Sequence, residues 1–190
     1  MTRILTFASA LVLAASAASA QGMAQAAPQK ISLAAGLQRT YAGVKLNLTE
    51  MAAKMPEADY GFQPTKDVRT YGQIFGHVAN AQFGACSVAK GEANPNQGND
   101  NEKKATKAEF VKALADSFAF CDDAFANLTD AGAVELVRQG QNEIARGAAL
   151  ANLVAHSNEI YGTAVPYMRM NGLVPPSTER QQQMMKNGGD

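Results

Sequence analysis

A chain of 190 residues carries 17 Lys and Arg against 17 Asp and Glu, with two histidines, two cysteines and no tryptophan. Balanced charge gives no electrostatic case for nucleic acid or an anionic membrane surface as a partner. The length suits one domain, and the chain holds no internal repeat, no Gly-rich phosphate loop after a strand and no G-x-S-x-G nucleophile motif.

Residues 1–20 read as a secretory signal. Arg3 is the positive end, an apolar run follows from Ile4, and Ala18-Ser19-Ala20 is a small-x-small cleavage site. The apolar run is short for a span of about 20 residues. Cleavage before Gln21 removes Arg3 and leaves one net negative charge. Nothing later is long and apolar enough to cross a bilayer, so the expected product is exported, periplasmic or secreted. Residues 21–30, rich in Ala, Gln and Pro, read as a flexible leader.

The strongest periodicity follows. Leu37, Tyr41, Val44, Leu48, Met51 and Met55 recur at intervals of 4, 3, 4, 3 and 4, one apolar stripe down a first helix that Pro56 ends. An irregular connector with Pro56 and Pro64 as breakers leads to Thr70-x-x-Gln73, a capping-box pattern that starts helix two near Tyr71. Ile74, Val78, Ala81 and Ala85 mark its inner side, and His77 shares that face.

Residues 90–105 break the composition with Gly, Asn, Pro, Gln, Asp and Lys and almost nothing apolar. Such a loop is solvated, and at roughly 3.3 Å per extended residue it can run back along a whole helix. Thr106-x-x-Glu109 is a second capping box, and Phe110, Leu114, Phe118, Cys121, Phe125 and Leu128 make helix three. Between Asp130 and Gly147 the pattern is ambiguous. Val134-Glu-Leu-Val137 reads as a short extended piece, broken at Gly140. Helix four is expected over residues 146–171 with Leu153, His156, Ile160, Ala164 and Tyr167 inward, Gly172 just past its end and Pro175-Pro176 blocking continuation. Residues 179–190 read as a polar, frayed tail. The expected architecture is all-α: a four-helix bundle over residues 31–178, in up-down-down-up order with a long crossover between helices two and three.

The cysteines test that order. In an exported chain an even count points to a disulfide first. Cys86 and Cys121 each lie about fifteen residues into their helices, counted from the capping boxes. Antiparallel helices would hold them roughly 20 Å apart at 1.5 Å per residue, whereas a disulfide needs Cα atoms within about 7 Å. The bridge and the parallel pair stand together.

The two histidine-bearing stretches, Met55 to His77 and His156 to Thr178, resemble the DinB-like family of helical bundles, many of them read as metalloproteins. Tyr60-Gly-Phe62, Pro64-Thr65 and Arg69 resemble its connector, and Tyr161-Gly162 with Arg169 its final helix. That family places three histidines at the bundle centre, one from helix two and an H-x-x-x-H pair from the last helix. His77 and His156 match two of these positions, and the third is Ile160, which ligates nothing. Two imidazoles alone make a weak, open site, since zinc sites hold at least three protein ligands. Glu159 is a candidate for a two-His-one-carboxylate set. Ile160, Tyr161 and Arg169 are candidates to line a pocket, with Arg169 and Arg69 available to an anionic group or a structural carboxylate.

The resemblance, taken with the signal read in residues 1–20, implies an exported bundle that binds a small ligand or a protein, or serves structurally, with a degenerate metal site. The alternative is a divalent-metal-dependent hydrolase or transferase using His77 and His156, holding zinc or nickel weakly. Thiol-dependent transfer, known in relatives, sits badly with export because the thiol cosubstrates are chiefly cytosolic. A homodimer is one assembly open to such a bundle.

Overall fold

The computed structural model describes residues 28–188. The expected signal and most of the leader lie outside the described residues.

The first apolar stripe folds as read. Helix α1 (Leu33–Lys54) starts where the Ser32 hydroxyl accepts from Ala35 N at 3.2 Å, and it buries Tyr41, Val44, Leu48 and Met51. Met55 turns extended before Pro56 and closes the helix. The connector, with a 3-10 turn at Glu57–Asp59, folds back onto the end of the bundle through its aromatics. Tyr60 meets Tyr71 edge-on at 5.4 Å between centroids, and Phe62 meets Tyr167 the same way at 6.0 Å. The Tyr71 hydroxyl donates to Met51 O at 2.7 Å, which satisfies a buried polar tip and ties α1 to the start of the next helix.

Helices α2 (Tyr71–Lys90) and α3 (Lys107–Ala126) both begin on complete, reciprocal capping boxes, Thr70 with Gln73 and Thr106 with Glu109. Gly91, at φ 69, closes α2 in the left-handed region that favours glycine. Near their starts the two helices touch closely: a Cβ added to Gly72 would lie 2.5 Å from the Phe110 ring. Further along, Phe83 and Phe120 stand 5.7 Å apart between centroids, and a Cys86–Cys121 disulfide joins Cα atoms 5.4 Å apart. The opposite sense holds for α1 and α3. Tyr41, early in α1, stacks on Phe125, late in α3, while Lys107 Nζ at the start of α3 donates to Met55 O just past the end of α1.

Two findings depart from the sequence reading. The ambiguous region forms a short helix α4 (Asp130–Ala133) and an antiparallel hairpin of β1 (Leu136–Gln139) and β2 (Asn142–Ala145), turned at Gly140 with φ 63. The fold is therefore mostly helical rather than all-α. After α5 (Arg146–Met170) and the left-handed Gly172, the segment expected to fray is a helix, α6 (Pro176–Asn187). The double proline ends α5 but also begins α6, because a proline at the first helical turn has no N–H to leave unpaired. Glu179 in the first turn and Lys186 in the last suit the helix dipole. The polar face of α6 is held on α1 by charge: Lys54 pairs with Glu179, and Arg180 with Glu50 and Asn47. Among the described residues no helix is long and apolar enough to cross a membrane.

Candidate functional site

The loop after α2 is exposed along most of its length, as its composition implies, but it rests on the bundle at Asn101 and Glu102. It crosses the surface of α2 at a 3-10 turn, Asn101–Lys103, and glycine permits the crossing. A Cβ on Gly76 would lie 2.4 Å from Asn101 O, so only a residue without a side chain lets the two backbones meet. Asn80, one turn further on, fixes the loop's register. Its Oδ1 accepts from Asn101 N at 3.1 Å and from Asn101 Nδ2 at 3.0 Å, and its Nδ2 donates to Asp100 Oδ1 at 2.9 Å. Asn101 is buried by this clasp.

The clasp delivers Glu102 to His77. Glu102 Oε1 lies 2.9 Å from His77 Nδ1, and Oε2 accepts from Arg69 Nε at 2.8 Å. Arg69 Nη2 reaches Oε1 at 3.3 Å, so the guanidinium grips both oxygens. The connector carrying Arg69 is itself held by Tyr167 of α5, whose hydroxyl donates to Arg69 O at 2.9 Å. Partial burial raises the Glu102 pKa, but the hydrogen bonds and charges of Arg69 and His77 outweigh it and hold the carboxyl below its ordinary value. Glu102 is ionised at neutral pH. Glu102 thus fixes the orientation of the His77 ring through Nδ1 and leaves Nε2 free of that contact.

His156 arrives from α5, its ring edge-on to His77 at 5.1 Å between centroids. Burial lowers its pKa first, then the proximity of His77 and Arg69, while Glu159 acts in the other direction. It stands as a neutral imidazole. The two histidines thus meet as the sequence predicts, though both are half-buried rather than enclosed in the core, and of the two only His77 lines the adjacent cleft.

That cleft, about 420 Å³, has an apolar wall of Val68, Ile74 and Ile160 and a polar wall of Asp67, Arg69, His77, Glu102, Thr163 and Tyr167. Ile160 lines it as expected. The other candidates do not. Glu159 is exposed on α5. Tyr161 turns the other way, exchanging hydrogen bonds with Ser177 that dock α6. Arg169 donates to the Thr178 hydroxyl at 3.3 Å and fastens the same exit turn. Successive side chains on a helix point about 100° apart, so Glu159 and Tyr161, one position either side of Ile160, leave the face that Ile160 presents to the cleft.

For a metal ion the donor set is short. Among the described residues no three His, Cys, Asp or Glu side chains converge to hold one. Where a third imidazole would stand, Ile160 presents hydrocarbon, and the nearest carboxylate already serves Arg69 and His77. The residues present do not fit a resident ion with three protein ligands. The arrangement offers instead an oriented imidazole, an ion pair and an apolar wall.

Sequence reasoning missed Glu102, Asp67 and Thr163. One signal was available for Glu102: Gly76 interrupts helix two one residue before His77, and an interior helical glycine marks a close approach.

Residues 44–164 match the profile of the DinB superfamily. Comparison with curated proteins returns no match. Among solved structures the chain resembles a DinB-like protein from Bacillus cereus ATCC 10987, with a TM-score of 0.63 and 14% identity over 74% of this chain and 94% of that one. It also resembles a conserved protein from Enterococcus faecalis, with a TM-score of 0.59 and 13% identity over 73% of this chain and 96% of that one. At such identities the likeness is one of fold.

Proposed function

The chain belongs to the DinB superfamily, and from that premise we propose that it is an exported small-ligand-binding bundle whose family metal position has become an organic-ligand cleft. The observation that carries this reading is the Arg69–Glu102–His77 chain of hydrogen bonds beside Ile160. It spends the nearest carboxylate on neighbours and puts a branched hydrocarbon where a third donor is needed. A concave cleft in which hydrocarbon adjoins fixed polar groups is a form that small-molecule sites take.

The framework in this reading is α1, α2, α3 and α5 in up-down-down-up order, with residues 91–106 as the crossover. Supporting it are the close approaches of α2 and α3 at matching depths, Gly72 to Phe110 and Cys86 to Cys121, and the opposite pairing of α1 with α3. Export rests on the signal read in residues 1–20 and agrees with a disulfide.

A second reading keeps the family chemistry: a divalent-metal-dependent hydrolase or transferase on His77 and His156. One contact favours it, because a carboxylate behind Nδ1 is what metal-binding histidines use to fix their tautomer. The missing third donor stands against it. Metal analysis of protein purified without a histidine tag separates the two. The expected result is far less than one zinc or nickel per chain; a full equivalent overturns the organic-ligand reading.

A further inference from the structure

Resting on the reading of this cleft as an organic-ligand site, we infer that its ligand is a small primary amine carried on a short aliphatic body.

Charge decides the sign. Glu102 is fully engaged, with Arg69 on both oxygens and His77 on one. The Arg69–Glu102 pair therefore contributes no net charge to the cleft, and His77 meets that carboxylate as a donor. Asp67 lines the same cleft, and among the described residues its carboxylate has no ion-pair partner. The unbalanced charge is negative. It complements an ammonium group, whereas a carboxylate or phosphate would face Asp67 and meet an Arg69 whose charge Glu102 already balances.

Shape supplies the rest. Val68 adjoins Asp67 in the chain, and Ile74 and Ile160 continue the hydrocarbon from α2 and α5. Ile74 and Ile160 form the sheltered part and Val68 and Asp67 the exposed rim, an order that matches an alkyl chain inward and an amine at the mouth. At about 420 Å³ the space exceeds what a five-carbon amine fills. Longer chains should bind more tightly, by up to about threefold or fourfold per buried methylene.

The test uses two probes with the same branched body and opposite charge, 3-methylbutylamine and 3-methylbutanoate. Each is titrated into the purified isotope-labelled protein at pH 7, following amide shifts by two-dimensional NMR. The amine is expected to move Val68, Ile74 and Ile160, with the carboxylate leaving them in place. Asp67→Asn should weaken the amine by up to about fivefold, the range of a partly exposed ion pair. Asp123→Asn, outside the cleft, should not. Binding of the carboxylate as strongly as the amine overturns the charge assignment and leaves the organic-ligand cleft standing. Binding of neither overturns the inference, and a full equivalent of zinc in the same preparation removes the cleft reading with it.

Discussion

His77 Nδ1 and Glu102 Oε1 lie 2.9 Å apart although 25 positions separate them in the chain. One residue belongs to a capped helix, the other to a polar crossover. Their meeting makes a loop of polar composition part of the cleft wall.

That contact has a pH signature. The carboxyl of Glu102 is held below its ordinary value, against the opposing effect of partial burial, by Arg69 and His77. Its stabilisation is present above the unfolded-state value of about 4.3 and is lost as pH falls through the lower folded-state value. Glu102→Gln should therefore cost up to about 1 kcal/mol at pH 7, an amount limited by solvent screening, and the gap from wild type should narrow toward pH 3. Urea unfolding at the two pH values measures it; a gap that widens with acid would contradict the assignment.

Ile160→His should restore an i, i+4 imidazole pair with His156 on α5, opposite His77. Zinc and nickel affinity are expected to rise at least about tenfold, since metal sites strengthen with a third protein donor. Calorimetric titration of both proteins is the comparison. Tight binding already present in wild type would mean that a ligand other than residue 160 completes the shell.

The disulfide closes a sequence separation of 35, and chain-entropy reasoning gives it about 4 kcal/mol. The double variant Cys86→Ala, Cys121→Ala should lose that order of stability on chemical unfolding, with some of the loss due to smaller side chains in the core. Peptide mapping without reductant should recover the two cysteines in one linked pair. Free thiols at both positions in exported protein would sink the bridge.

Two glycines of α2 should respond in opposite directions. Alanine at Gly76 collides with Asn101 O, so the 3-10 turn must shift, at a cost of about 1–3 kcal/mol. His77 should then lose its Glu102 partner, visible as a changed imidazole nitrogen resonance. Gly84 has nothing within 4 Å of an added Cβ, so Gly84→Ala should stabilise the helix by about 0.5–1 kcal/mol. Equal effects at the two positions would show that the crossover is not seated on Gly76.

The local framework was legible in the residues themselves. Two capping boxes start α2 and α3, a 4-and-3 stripe forms α1, and the left-handed Gly172 ends α5. Each of these signals is decided within one or two helical turns, by hydrogen bonds and faces that neighbouring residues create. The meeting of His77 with His156 was legible too, because each shares a face with buried apolar neighbours. Tertiary structure decided what local rules cannot. Glu102 reaches the site only because Gly76 and Asn80 seat a distant loop on α2. The polar α6 exists as a packed helix because Lys54 and Glu50 on α1 hold its charges. Residues next to one another on α5 divide between cleft, solvent and the α6 dock according to which element covers each face. A sequence records which side chains share a helix face, but the partner across that face is chosen by packing of segments far apart in the chain.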